Sequence, residues 1–310
     1  MRPRVAVLAS GTGHTLEALL RASGPNPSDA ALEADIALVI SNRSQSGAGQ
    51  RARQHGVPFC HLSVHTHGDE PALDVAMHAA LHDAGIDWIV LAGYLKKLGP
   101  RVLDGWAGRI LNTHPSLLPR FGGAGMYGRR VHEAVIASGA SITGASVHYV
   151  TAEYDTGPVI AQVELPVCAG DNADTIEARV KNIEQGLLVR VLNERIRSPL
   201  LDVNSLPVVA GYVVQPVLPR HLSVLRDPRF VHAQSAGRLW AVLNAQDVPV
   251  LVALLDAHEA SAAVLRGAMY CVGEPLPRPE LVAMLQQYMQ AEALRVGCGS
   301  VVLSGPLRAS

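Results

Sequence analysis

The chain is poor in cysteine. Its 310 residues hold four, Cys60, Cys168, Cys271 and Cys298, and none forms a C-x-x-C pair. That pattern favours buried thiols in a reducing cytoplasm over a disulfide framework. An excess of either charge is also missing. The 26 basic and 27 acidic residues leave a formal net charge of −1, which gives no support to broad binding of nucleic acid or of an acidic membrane surface. No apolar run approaches the roughly 18 residues of a membrane span. The longest candidate, "VPVLVALLDAHEASAAVL", is interrupted by Asp256, His258 and Glu259. The opening "MRPRVAVLASGTG" has a five-residue apolar run before its glycines, too short for the core of a signal peptide. With 48% hydrophobic and 17% charged residues, disorder has no compositional basis. Repeats and low-complexity segments are absent as well.

The length favours two domains over one. Residues 1–197 alternate between short apolar runs and helical patterns. The runs "RVAVLAS", "DIALVIS", "VPFCHLS", "WIVLAGY", "RILNTH", "GASVHYV" and "PVIAQVELPV" predict strands, the last two joined by "TAEYDTG". Helices are predicted from Thr15 to about Ala22, over "SQSGAGQRARQHG", over 71–85 and over 172–196, with Asn172 or Asp174 as cap. This order predicts an α/β fold with a doubly wound, mostly parallel sheet and an antiparallel edge. "RSPLLDVNSLP" (197–207) reads as a linker. Residues 198–310 then read as a smaller, mainly helical extension with helices at 235–244, 249–266 and 279–295. Those helices need a partner surface, either the first domain or a second copy in a homodimer.

Ligands of an open parallel sheet bind where its strands end at their carboxyl edge. The turn "SGTGHTLEALL" leaves the first strand there, and its backbone N–H groups suit an anion. Several nucleotide signatures are missing. Leu16 stands where a dinucleotide fingerprint needs its third glycine, Ser41, Asn42 and Arg43 replace the acid that would end the second strand, and no G-K-[ST] follows. A single phosphate ester held by Gly11–Thr15 fits better. A tight turn without a ligand is the equal alternative.

"RILNTHPSLLPRFGGAGMYGRR" (109–130) carries the second candidate. Asn112 and His114 lie two apart on a strand and share a face. Pro115 then turns the chain out of the sheet. An amide and an imidazole side by side suit a carbonyl becoming tetrahedral. Asp155, in the "AEYDTGPV" turn, would raise the pKa of a neighbouring His114 by favouring imidazolium. No G-x-S-x-G elbow or other nucleophile motif accompanies them, so one substrate would attack the other directly. For each residue taken alone, packing or a surface turn is the competing explanation. Gly122, Gly123, Gly125 and Gly128 read as a mobile flap. Arg129, Arg130 and His132 are expected to face water. His61, His65 and His67, beside Asp69 and Glu70, match no standard metal-ligand spacing and read as a solvated loop. Cys271 and Cys298 read as buried small residues.

"LASGTGHTLEALL", "LAGYLKKLGPRVLDGWAGRILNTHPSLLPRFGG" and "GASVHYVTAEYDTGPVIAQVELPV" resemble the folate-dependent glycinamide ribonucleotide formyltransferases of purine biosynthesis, over about residues 4–196. The resemblance implies transfer of the formyl group of 10-formyltetrahydrofolate to the amine of 5'-phosphoribosylglycinamide, without a metal. It implies Asn112, His114 and Asp155 as the catalytic trio, with Asp155 keeping His114 charged. Gly11, Gly13, His14 and Thr15 would hold the substrate phosphate, and Glu184 would meet the substrate amine. Leu95, Lys96, Lys97 and Leu98, with Asn112, would border the folate on one side. Thr151, Ala152, Glu153 and Asp155 would border it on the other. The implied partners are small molecules, in the cytoplasm, with neither nucleic acid nor membrane involved. Three alternatives stay open: methionyl-tRNA formyltransferase, formyltetrahydrofolate hydrolase and a non-catalytic sugar-phosphate or folate binder. The first would need basic residues in its tail for tRNA phosphates. From 198 onward this chain has no lysine, and its arginines are matched one for one by acids.

Overall fold

Val5, Val7 and Leu8 in the first apolar run are fully buried. A strand covered on both faces does not alternate, which is why these runs read as continuous apolar stretches. The computed structural model describes residues 2–24 and 31–197 and, of the remainder, 212–216, 225, 230, 239–244, 246, 249–255, 264–272, 278–295 and 300–308. The first part contains β1 (Arg4–Leu8), β2 (Asp35–Ser41), β3 (Phe59–His61), β4 (Trp88–Leu91), β5 (Ile110–His114), β6 (Ile142–Tyr149) and β7 (Val159–Pro166). They form one seven-stranded sheet in the order β3-β2-β1-β4-β5-β6-β7. β1 to β5 pair in parallel, and β6 and β7 add the expected antiparallel edge.

The helices are α1 (His14–Ser23), α2 (Gly47–Gln54), α3 (Val64–His67), α4 (Glu70–Asp83), α5 (Pro100–Gly105), α6 (Arg129–Ala137) and α7 (Ala173–Arg197). Of the two cap candidates for α7, Asn172 serves, accepting from the Asp174 and Thr175 N–H groups. α3, α5 and α6 carry no clear helical signal in the sequence. α3 and α5 are four and six residues long, too short to show a period. α6 follows directly on the glycine-rich loop.

The chain builds β2 and β3 on one side of β1, then returns to place β4 and β5 on the other. Connections therefore diverge at the carboxyl ends of β1 and β4 and leave a crevice between them. The Gly11–Thr15 turn, the 93–98 segment and the end of β5 all open into that crevice.

The extension departs from its expected helical character. Its described residues form β8 (Tyr212–Pro216), β9 (Leu239–Asn244), β10 (Pro249–Leu255), β11 (Val264–Cys271), β12 (Ser300–Arg308) and one long helix, α8 (Pro279–Arg295). The sheet order is β12-β11-β10-β9-β8. β8 to β11 are antiparallel neighbours, and α8 carries the chain across to a parallel β12. So the segments 235–244 and 249–266, expected as helices, supply strands, while 279–295 is helical as expected. Ala241, Val242, Leu243, Leu251, Val252 and Ala253 are all fully buried. Such runs lack alternation, and period alone cannot tell them from buried helix.

In α8, Leu281, Met284, Leu285, Tyr288 and Met289 form a stripe at helical spacing that is buried within the same chain. That apolar face is therefore not a subunit contact. It joins Val242, Leu251, Ala253 and Met269 to the core cluster that runs through α7 and β1. The opposite face of the small sheet packs Leu225, Phe230, Ala241, Leu243, Val252 and Tyr270. Cys271 is buried, Cys60 half-buried and Cys168 exposed, the last against expectation. Cys298 and the 198–207 part of the expected linker lie outside the described residues.

Candidate active site

One cleft of about 380 Å³ lies at the carboxyl edge of the sheet, within the size range of small-molecule sites. Every residue given a site role by the resemblance lines it: Gly11, Gly13, His14, Thr15, Leu95, Lys96, Lys97, Leu98, Asn112, His114, Thr151, Ala152, Glu153, Asp155 and Glu184. The 95–98 and 151–155 segments face each other across its mouth. Lys97 Nζ bridges them, 2.9 Å from Glu153 Oε2 and 5.3 Å from the centre of the Tyr154 ring.

Asn112 and His114 both enter the cleft from the end of β5, as strand geometry requires. Across the ladder, His148 on β6 stands directly opposite Asn112. His148 Nδ1 lies 2.7 Å from the Tyr149 carbonyl, to which it can only donate. Its Nε2 lies 2.9 Å from Asn112 Nδ2 and 3.5 Å from Asp155 Oδ1. Asp155 closes the group, with Oδ1 3.4 Å from Asn112 Nδ2 and Oδ2 3.5 Å from His114 Nδ1. Its Oδ2 also accepts from the Gly123 N–H at 2.9 Å. Among the described residues, only Phe121 and Asp155 are non-glycines at positive φ. Both serve His114, since the Phe121 carbonyl accepts from its Nε2 at 2.8 Å. Strained backbone of this kind persists where surrounding contacts over-determine it. The glycine-rich loop is thus fastened to the site at Phe121 and Gly123.

Charge in this group differs from the sequence expectation. Burial would push the Asp155 carboxyl up, but contact with His148, the nearby His114 imidazole and the Gly123 N–H outweigh it and hold it at about 2. His114 is 3% exposed. Burial drives its pKa below the ordinary histidine value, and Asp155 and the Phe121 carbonyl oppose that shift without cancelling it. The expected rise is therefore a fall: desolvation of the imidazolium exceeds the attraction of one carboxylate.

At the other end of the cleft, Gly13 precedes α1 with φ of 75°, and no side chain caps that helix. Its first N–H groups are left for a ligand or water. A Cβ at Gly13 would stand 2.8 Å from the Ala48 Cα. Gly13→Ala is expected to lose ~1–3 kcal/mol of stability in urea unfolding; an unchanged midpoint would show that α2 yields to it.

Glu184, on α7, is 8% exposed. Burial raises its carboxyl to about 7, against the opposing pull of Thr113, Lys181 and Thr15. Lys181 and Glu177, one and two turns earlier on α7, line the same cleft and pair with each other at 2.6 Å. Their spacing to Glu184 was legible as a shared helix face. His132 was expected to face water, yet it is 2% exposed and lines the cleft. Its Nδ1 has no hydrogen-bond partner among the described residues, and burial lowers its pKa. Arg129 and Arg130 are exposed, as expected; Arg129 pairs with Glu133 and Asp174, and Arg130 lies over the Tyr127 ring. Among the described residues, no cluster of His, Cys, Asp or Glu is arranged to hold a metal. No described helix is long and apolar enough to cross a membrane.

The formyl transferase family model matches residues 3–192. A phosphoribosylglycinamide formyltransferase of Mycobacterium tuberculosis (strain ATCC 25618 / H37Rv) is 41% identical over 187 residues, which cover 60% of this chain and 81% of that protein. The chain belongs to the phosphoribosylglycinamide formyltransferases, within the formyl transferase family. The chloroplastic phosphoribosylglycinamide formyltransferase of Vigna unguiculata is 38% identical over 193 residues, 62% of this chain and 60% of that relative's length. Among solved structures, glycinamide ribonucleotide transformylase 1 from Symbiobacterium toebii superposes with a TM-score of 0.58 at 32% identity, covering 64% of this chain and 90% of that one. The family match ends within α7, so the extension of this formyl transferase lies beyond it.

Proposed function

We propose that this formyl transferase moves the formyl group of 10-formyltetrahydrofolate to the primary amine of 5'-phosphoribosylglycinamide, a step of purine biosynthesis in the cytoplasm. The observation that carries this reading is the meeting of Asn112, His114 and Asp155 in one cleft with the uncapped α1 turn. The amine attacks the formyl carbon directly, without a covalent enzyme intermediate. The turn of Gly11, Gly13, His14 and Thr15 takes the substrate phosphate. The 95–98 and 151–155 segments take the folate. Glu184, titrating near neutrality, meets the amine and accepts a proton from its ammonium form.

As the new C–N bond forms, the carbonyl electron pair moves to oxygen, where the Asn112 amide donates to the oxyanion. The attacking nitrogen becomes positive and gives its proton to His114. Nε2 is committed to the Phe121 carbonyl, so the lone pair available is on Nδ1. A lowered pKa suits His114 to begin neutral, and Asp155 then offsets its transient charge. As the oxyanion collapses, the bond to N10 of the folate breaks and His114 returns the proton to that nitrogen. The amine has lost one proton and tetrahydrofolate has gained it.

Formyl transfer from 10-formyltetrahydrofolate, measured with the ribonucleotide, methionyl-tRNA and water as rival acceptors, tests the reading. Turnover is expected with the ribonucleotide. Its absence there, with either rival accepted, would replace the reading by a methionyl-tRNA formyltransferase or a formyltetrahydrofolate hydrolase. Tight binding without any turnover would leave only a binding protein.

A further inference from the structure

The α1 turn is held from behind. Arg51 on α2 donates from Nε to the Thr12 carbonyl at 3.0 Å and from Nη1 to Glu17 Oε2 at 2.9 Å. Glu17, in the first turn of α1, accepts Arg21 Nε at 2.8 Å on its other oxygen and faces His55 Nε2 at 3.3 Å. Burial pushes its carboxyl up, but the bonds from Arg51, Arg21 and His55 hold it at about 2, so it stays ionised near neutrality. Backbone completes the brace. The Ala48 N–H donates to the Gly11 carbonyl at 3.2 Å, and a Cβ at Gly47 would stand 2.6 Å from Thr12 O. Arg51 itself does not line the cleft.

In a trans peptide the C=O and N–H point in opposite directions. With Thr12 O held toward Arg51, the Gly13 N–H must point away from it. A flip of the Thr12–Gly13 peptide would put a carbonyl oxygen where that N–H stands, replacing attraction for an anion by repulsion. Glycine tolerates such flips more readily than other residues, so the turn needs an external hold.

We propose that Arg51, set by Glu17, is a positioning residue for the phosphate of the acceptor: by anchoring the Thr12 carbonyl it keeps the Gly13 N–H presented to the ligand. This rests on the reading that the turn holds the phosphate. Arg51→Met in the full chain is expected to raise the Kd for inorganic phosphate and the KM for the ribonucleotide, each by about 10-fold. kcat should stay within about 3-fold and the KM for 10-formyltetrahydrofolate should not move, because only ground-state binding of the acceptor is touched. Arg51→Lys keeps the charge but loses the fork that spans Thr12 and Glu17, and should raise the same two constants by about 3-fold.

Unchanged phosphate Kd and ribonucleotide KM in Arg51→Met overturn the proposal. An equal rise in the folate KM also overturns it, since general loosening then explains the loss. If Arg51→Met does not fold, Arg51→Lys decides alone by the same two constants. Phosphate binding by the parent chain without formyl transfer would sink the proposed reaction and spare this inference. Formyl transfer with both Arg51 variants indistinguishable from the parent would do the reverse.

Discussion

His114→Ala is expected to lower kcat by about 10³- to 10⁴-fold while KM for both substrates changes little. The imidazole is 3% exposed and held at Nε2 by the Phe121 carbonyl at 2.8 Å, with Asp155 3.5 Å from Nδ1. Such a group contributes when the amine proton must move, and adds little to binding the substrates beforehand. Asn112 and the α1 turn remain in the variant, so a residual rate should survive. The pH profile adds a second readout. Burial lowers the pKa of His114, so kcat/KM should show, besides a limb near 7 from Glu184, a second acid limb below the ordinary histidine value that disappears in the variant. A near-normal rate for His114→Ala would remove this residue from the mechanism.

Glu184→Gln is expected to stabilise the protein at alkaline pH while weakening the acceptor. The folded carboxyl titrates at about 7 against an ordinary value of 4.5. Between those values the folded chain keeps a proton that the unfolded chain releases, so stability falls as pH rises. The full loss, reached above pH 7, is about 3 kcal/mol. Glutamine resembles the protonated carboxyl. The variant should therefore match the parent in urea unfolding at pH 4 and exceed it by about 3 kcal/mol at pH 8. Its KM for the ribonucleotide should rise about 10-fold or more through loss of the charged partner of the amine. A stability difference that does not widen between the two pH values would show that Glu184 is ionised in the fold without penalty.

These two residues differ in how far they could be read from the chain. His114 stands two places after Asn112 at the end of an apolar run, and strand periodicity alone puts both on one face. Glu184 follows Glu177 and Lys181 at helical spacing, a local signal of the same kind. The sheet's β–α order and its antiparallel edge were equally local, because most of the runs are bounded by glycine or proline. By itself, then, the sequence determined the α/β domain, the polar pair at the end of β5 and the glycine turn after β1.

The tertiary structure decided what depends on residues distant in the chain. His148 is 36 residues from Asn112 and meets it only because β6 pairs antiparallel to β5 in that register. Arg51 reaches Thr12 across 39 residues, through packing of α2 on the turn. His132, expected in water, is buried against α7, and the pKa of His114 falls where one nearby carboxylate suggested a rise. In the extension, the runs 241–243 and 251–253 became strands because both faces of the small sheet are covered, which erases the alternation that marks a strand. Periodicity is a property of neighbours along the chain. Burial, register and the balance of desolvation against charge arise only when distant segments close on one another.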